Sequence, residues 1–187
     1  IAGMFFDLDD HNNLEQARRD ALGMCQLLEE RAKVPRDCLG LYFSGSKGFH
    51  IEVSWKVFGP QPSPYILQLC KRMALKAVDA GVKSLDTGIY NQGRLWRMPN
   101  SINSKKGLYK IPLTYEELRD MDAAAIADLA KNPRCDDSFA SCDFCQATAD
   151  WYRDAISVLE KESKSPSAPH QMNFEFKDGW RMTPCAK

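Results

Sequence analysis

The chain lacks a charge of its own: 25 lysines and arginines stand against 25 aspartates and glutamates, with only 3 histidines. A protein that coats DNA without regard to sequence is usually basic overall, so any binding of polyanions here has to come from local patches. No stretch approaches the roughly 18 consecutive apolar residues of a membrane-crossing helix. No basic, apolar leader opens the sequence either. We therefore expect no membrane partner and a cytoplasmic or nucleoid-associated protein. Internal repeats are missing too. The first residues are already a core-like apolar run, with no cap or turn before them, and from this we expect an excised fragment whose upstream elements are missing.

Cysteine is not scarce. There are 7, an odd number, which argues for structural thiols in a reducing compartment and a metal site rather than a disulfide framework. Cys25 and Cys70 fall on the apolar stripes of predicted helices and read as packing residues. Cys38 precedes a predicted strand and has no evident role. Cys135, Cys142 and Cys145 share one loop, and Cys142-x-x-Cys145 is a common half of a zinc site. Cys185 or His170 is the candidate fourth ligand for Zn²⁺. An iron–sulfur cluster on four thiolates, or plain reduced thiols, are the alternatives.

The apolar residues that are present mark out an α+β protein with a mostly antiparallel sheet flanked by helices. Met4 to Leu8 reads as a buried strand. Leu14, Ala17, Ala21, Met24 and Leu28 recur at helical spacing after a cap at Asn12 or Asn13, in a helix running to about Lys33 and stopped by Pro35. Leu39 to Phe43 and Phe49 to Trp55 read as a hairpin across the turn Ser44 to Gly48. Phe49, Ile51 and Val53 lie on one face of it, with His50, Glu52 and Ser54 on the other. Ser63-Pro64 starts a helix with Ile66, Leu69, Cys70, Met73 and Ala77 inward, ended by Gly81. Short strands are expected at Arg94 to Met98 and Leu108 to Leu113. Thr114 and Glu117 have the spacing of a capping box, and Asp122 to Lys131 is a further short helix. Phe144 to Glu162 reads as a helix with Phe144, Ala147, Trp151, Ala155 and Val158 inward. Residues 132–187 then form a Cys-rich loop, helix and tail, a possible zinc-binding appendage to residues 1–131.

Four stretches carry chemistry. In Phe6-Asp7-Leu8-Asp9 the alternation of a strand puts both carboxylates on one face. Paired carboxylates repel, and a divalent cation such as Mg²⁺ or Mn²⁺ relieves this while preferring oxygen ligands; a solvated acidic turn would look the same. In Ser44-Gly45-Ser46-Lys47-Gly48-Phe49-His50 the glycines allow close approach of a ligand, the turn N–H groups can face an anion, and Lys47 and His50 add donors. An ordinary hairpin turn is the alternative. Asp86, after Leu85, is a candidate third metal carboxylate. Finally, no acidic residue occurs from Thr87 to Tyr115, where Arg94, Arg97, Lys105, Lys106 and Lys110 stand. This local positive patch suits a triphosphate or a nucleic-acid backbone, or is a solvated basic loop.

In this order the four stretches resemble the archaeo-eukaryotic primase superfamily, which includes primase small subunits, primase-polymerases and the polymerase domains of bacterial end-joining ligases. The strand-borne Asp7-x-Asp9, the turn from Ser44 to His50, Leu85-Asp86 and the run Arg94 to Gly107 are each similar to one of its motifs, over residues 4 to 113. Asn103 stands where many archaeal members carry His. The resemblance implies template-dependent nucleotidyl transfer by a primase or primase-polymerase. Asp7, Asp9 and Asp86 would be catalytic and would hold Mg²⁺ or Mn²⁺. Ser46, Lys47, His50, Arg97, Ser101, Asn103 and Lys105 would bind the nucleotide. The implied partners are a DNA template and primer, nucleoside triphosphates, and a helicase or other replication modules on flanking sequence. Family members often carry a zinc module, which fits the thiols at Cys135, Cys142, Cys145 and Cys185. A gap-filling repair polymerase and a non-catalytic nucleotide- or DNA-binding module are the alternatives. A haloacid dehalogenase-type phosphatase also opens on Asp-x-Asp, but would want Gly or Thr/Val where Asp10-His11 follow.

Overall fold

The computed structural model describes residues 3–59, 62–91, 93 and 95–164. The elements run β1 (Gly3–Asp9), α1 (Leu14–Arg31), β2 (Leu39–Phe43), β3 (Gly48–Ser54), α2 (Ile66–Asp79), β4 (Ile102–Asn103), β5 (Leu108–Tyr109), β6 (Ile111–Leu113), α3 (Tyr115–Asp120), α4 (Ala123–Leu129) and α5 (Gln146–Ser163). A four-stranded sheet has the order β1-β3-β2-β6, antiparallel throughout, and β4 and β5 form a separate two-stranded ribbon. The chain is thus α+β with an antiparallel sheet and flanking helices.

Local chemistry explains the helix starts. The Asn13 side chain accepts from Gln16 N–H at 3.0 Å and opens α1. Thr114 and Glu117 complete a capping box on α3, and the Asp122 side chain accepts from Ala125 N–H at the start of α4. Each such cap is worth about 1 kcal/mol, which matters for α3 and α4 because isolated helices that short do not hold in water.

The sheet has two unlike faces, set by the period of two along each strand. Register pairs Leu8 with Phe49, Phe6 with Ile51 and Met4 with Val53, and β2 adds Leu39, Leu41 and Phe43 to the same row. All of these are buried. They join α1, α2 and the inner side of α5 in one core cluster. Burying each such side chain is worth about 1.5–3 kcal/mol, so this face decides that the sheet forms. The opposite face carries Phe5, Asp7 and Asp9 from β1, His50, Glu52 and Ser54 from β3, and Gly40 and Tyr42 from β2. Gly40 leaves room for the Phe139 ring, whose Cζ would lie 2.5 Å from an added Cβ.

Four sequence expectations need correction. Residues 95–98 form no strand; side chains hold that segment instead of a ladder, with Arg97 donating to Ser44 O and Lys110 donating to Arg97 O. The expected strand over 108–113 is broken at Lys110, whose N–H donates to Ser101 O. In α5 the buried side is Thr148, Ala149, Tyr152, Ala155, Ile156 and Leu159, rotated from the expected stripe. Two stripes one residue apart share the helical period, and the stack of Tyr152 on Phe58 at 4.4 Å selects between them, leaving Phe144 exposed. Lastly, Cys38 and Cys142 are joined in a disulfide spanning 104 residues of sequence. The thiols are therefore not all reduced, because folding brings the residue before β2 against the loop before α5.

Gly48 faces Asp9 across the β1–β3 pair. A Cβ there would lie 1.9 Å from Leu8 O and 2.5 Å from Asp9 Oδ1. Overpacking typically costs about 1–3 kcal/mol, and here the obstacle is rigid backbone. Gly48→Ala is expected to lie at or above the upper end, near 3 kcal/mol, read as a lower urea midpoint. An unchanged midpoint would show that β1 does not lie against Gly48 in solution.

Candidate active site

On β1, Leu8 is fully buried in the core, so Asp7 and Asp9 project from the other face. β1 is held along both edges. On one side β3 pairs His50 with Asp7 and Gly48 with Asp9. On the other, Leu8 forms an antiparallel bridge with Leu85; Asp9 N–H donates to Ser84 O at 2.7 Å and Asp86 N–H donates to Asp7 O at 2.8 Å. This register sets Asp86 opposite Asp7. The Asp86 side chain also accepts from Gly88 N–H at 2.8 Å.

A buried carboxylate fixes this third segment. Asp20 on α1 accepts from both Ser84 N–H and Ser84 Oγ–H at 2.8 Å, and from Gln16 Nε2–H at 2.7 Å. Asp20 lies on the inward stripe of α1 with Ala17, Ala21 and Met24. A carboxylate on an apolar stripe was the one sequence signal for it, and the sequence reading passed over it.

The glycine turn brings cations to the carboxylates. Gly45 has φ +76° and a Cβ there would lie 2.8 Å from Leu108 O, so only glycine suits the bend. Ser44 closes the turn: its N–H donates to Gly48 O at 2.9 Å and its Oγ accepts from Gly48 N–H at 3.3 Å. Lys47 Nζ then reaches Asp9 Oδ2 at 2.8 Å and His11 Nε2 at 2.9 Å. His50 Nε2 lies 3.4 Å from Asp7 Oδ1.

The segment after residue 94 closes over this face. The Trp96 ring packs on His50 at 4.3 Å and on Phe5 at 5.3 Å, and its Nε1–H donates to Glu52 Oε1 at 2.6 Å. Lys110 is fully buried and donates to the same Glu52 oxygen at 2.9 Å and to Arg97 O at 2.8 Å. It lies 4.4 Å over the Tyr42 ring and 5.1 Å from that of Trp96. Burial holds the Lys110 ammonium below the ordinary lysine value, with Glu52 pulling the other way. Arg97 Nη1–H donates to Ser44 O at 2.7 Å. Sequence reading gave no role to Trp96, Glu52 or Asp20, and it placed Lys110 in the positive patch, whereas Lys110 is buried against Glu52. Glu52 and Lys110 lie far apart in sequence, and nothing local marks them as partners.

These parts enclose a cavity of about 920 Å³, lined among others by Asp7, Asp9, Asp10, Ser46, Lys47, His50, Arg97, Asn103, Lys105 and Lys106. Most residues expected at the site therefore meet there. Asp86 stands beside Asp7 but does not line the cavity. Ser101 does not line it either; its Oγ–H donates to Met98 O at 2.6 Å. Asn103 is buried, and its Oδ1 accepts from Lys105 N–H at 3.0 Å. Arg94 lies outside the described residues. Burial pushes the Tyr90 phenol well above its usual value, with smaller contributions from Cys70, Asp7 and Asp86, so Tyr90 sits as a neutral group in the field of both carboxylates.

Among the described residues, no three His, Cys, Asp or Glu side chains are gathered to hold a metal by themselves. The donor set at Asp7 and Asp9 instead fits Mg²⁺ or Mn²⁺ shared with phosphate oxygens, the usual arrangement for these ions at nucleotides. Lys47 Nζ stands 2.8 Å from Asp9 Oδ2, so Asp9 already faces a positive charge. The thiols differ from expectation. Cys142, bonded to Cys38, has no thiolate for zinc while that bond stands. Cys135 is exposed in its loop and borders a separate cavity of about 420 Å³. Cys145 precedes α5, where the Thr148 hydroxyl holds its thiol below the usual value. Cys185 and His170 lie outside the described residues.

No protein-family profile matches the chain, and no curated protein matches it.

Asp20→Ala would leave the Ser84 donors buried without their acceptor, at about 1–3 kcal/mol for such a loss. It is expected to lower the urea midpoint and to speed hydrogen exchange at the Asp86 amide; unchanged exchange would mean that Asp20 does not fix the segment. Lys110→Met alone would leave the partly exposed Glu52 carboxylate with Trp96 as its donor, a loss expected to fall below the roughly 3–5 kcal/mol of a fully buried broken pair. The double variant Glu52→Gln/Lys110→Met is expected to recover most of that loss. A double variant as unstable as the single would show that the two do not act as a pair.

Proposed function

We propose that this cavity binds a nucleoside triphosphate and transfers its nucleotidyl group to a primer, in the manner of the archaeo-eukaryotic primases and primase-polymerases. The observation that carries this reading is that one cavity gathers carboxylates and cations together. Asp7 and Asp9 form a carboxylate pair with Asp86 beside it; Lys47, His50, Arg97, Lys105 and Lys106 supply cations or donors around it. A nucleoside triphosphate joined to a divalent cation needs both. The volume of about 920 Å³ is within the range of ligand pockets.

In the reaction the primer 3′-hydroxyl releases its proton to solvent as its oxygen attacks the α-phosphorus, a P–O bond forms, the bond to the β-phosphate oxygen breaks, and pyrophosphate leaves. A divalent cation at Asp7 and Asp9 would offset charge on the attacking and leaving oxygens. The remaining work falls to the chain's own groups. Lys47 and Lys105 neutralise the triphosphate as flexible point charges, and Arg97 offers a planar fork for paired phosphate oxygens. Arg97 is already tied to Ser44 O, so its remaining donors are pre-positioned. His50, backed by Trp96, is fixed beside Asp7 and presents its ring to the cavity. None of these groups reads base identity, as a template-dependent enzyme requires.

The test is a template-dependent extension assay with a labelled primer, Mg²⁺ or Mn²⁺, and each class of nucleotide, with a parallel reaction lacking primer. The wild-type chain is expected to extend the primer. Asp7→Ala and Asp86→Ala are expected to lose about a hundred-fold or more, the scale on which misplaced reacting groups lose rate, while melting near the wild-type temperature. Extension retained by Asp7→Ala would remove the carboxylate pair from the chemistry. A wild-type chain that binds triphosphate and extends nothing would overturn the transfer reading.

A further inference from the structure

The segment that closes the cavity also turns three large apolar side chains outward. Leu95 is 92% exposed, Met98 73% and Ile102 55%. Single exposed apolar residues need no explanation, but a cluster beside a cavity marks an interaction surface. All three lie within eight residues of sequence, and Leu95 stands at the cavity wall.

The segment is also tightly fastened. Trp96 is tied to Glu52, Arg97 to Ser44 O, and Lys110 to Arg97 O. Asn100 N–H donates to Lys110 O at 2.7 Å; its side chain donates to Arg134 O at 2.6 Å and accepts from Arg134 N–H at 2.9 Å. A surface held this way loses little freedom when a partner binds.

Charge identifies the kind of partner. Around the apolar trio Arg97, Lys105 and Lys106 are exposed, and no acidic residue occurs from Thr87 to Tyr115. A surface offering apolar contact and positive charge, with no negative charge in its own segment, suits a polyanion that also has apolar faces. Single-stranded nucleic acid is such a partner: its unpaired bases have apolar faces, and its phosphates follow cationic grooves.

We propose that Leu95, Met98 and Ile102 form the surface against which the unpaired template strand lays its bases, with Lys106 holding its phosphates. This rests on the nucleotidyl-transfer reading for what the bound strand is used for, but not for the binding itself. A strand passing over Leu95 arrives at the cavity that would hold the incoming nucleotide. Base faces are contacted without reading of base edges, so binding is indifferent to sequence.

The test uses the chain as it is and the variant Met98→Ser/Ile102→Ser, which leaves Leu95 and the cavity lining untouched. Binding of labelled oligo-dT is compared with that of an abasic strand of equal length, by fluorescence anisotropy at fixed salt. Wild type is expected to prefer oligo-dT, and the variant to lose about ten-fold in oligo-dT affinity, or about 1.4 kcal/mol, and little for the abasic strand. Triphosphate binding and melting temperature are expected to stay at wild-type values. Equal binding of both strands by wild type, or an unchanged variant, would overturn the surface. So would binding of lipid vesicles or of a folded protein in place of the strand, lost in the same variant. Failure of primer extension with the oligo-dT difference intact would instead count against the transfer reading alone.

Discussion

The candidate site depends on the confinement of β1 between two antiparallel neighbours. One edge is an ordinary strand pair with β3; the other is a single bridge, Leu8 to Leu85, flanked by two backbone hydrogen bonds. Strand alternation then acts twice. Leu8 and Leu85 are driven into the core, and Asp7, Asp9 and Asp86 are left on the other side. The apolar term is what places the carboxylates. Like charges so close would separate if the backbone were free to move, and a hydrophobic row weighing several kcal/mol prevents it. Asp20 completes the arrangement by binding the Ser84 backbone and hydroxyl.

The opposite face is held by a different kind of force. Glu52 accepts from both Trp96 and Lys110, Lys110 also donates to Arg97 O, and Trp96 packs against His50. A buried ion pair adds little net stability, because desolvation offsets much of its attraction. What it supplies here is geometry. Lys110 is a fixed point from which the segment bearing Trp96 and Arg97 is hung over the sheet. An apolar replacement could fill the space, but could not direct three donors and acceptors at once.

Much of this was legible in the sequence, and the reason is periodicity. β1, the hairpin and α2 each have a clear period and a punctuating residue, so their ranges and inward faces could be read. The same holds for the face shared by Asp7 and Asp9 and for the turn ending at His50. Reading failed where period gives no phase or where the determinant is distant. α5 has two overlapping stripes, and contacts distant in sequence, such as Tyr152 on Phe58 and Thr148 donating to Lys33 O, decide between them. The strand expected at 94–98 has alternation enough, yet Lys110 takes the Arg97 carbonyl and Glu52 on β3 takes the Trp96 side chain. The Cys38–Cys142 bond joins residues no local pattern could pair, and a thiol count favoured metal over disulfide.

Overall neutrality and a strongly charged cavity are consistent because screening makes charge a local property. At physiological salt the screening length is about 8 Å, shorter than the distance across most domains. A charged ligand entering the cavity would therefore respond to Asp7, Asp9, Lys47, Arg97 and Lys105 around it and hardly to the sum over the chain. The acid-free stretch from Thr87 to Tyr115 supplies Arg97, Lys105 and Lys106 to the lining of that cavity, and β1 supplies Asp7 and Asp9. Between them stands the Trp96 ring, packed on His50 and bordering the cavity. Opposed charges held this near one another on a folded surface act with more force than in bulk water, so a ligand bearing both signs of charge would be oriented as well as attracted there.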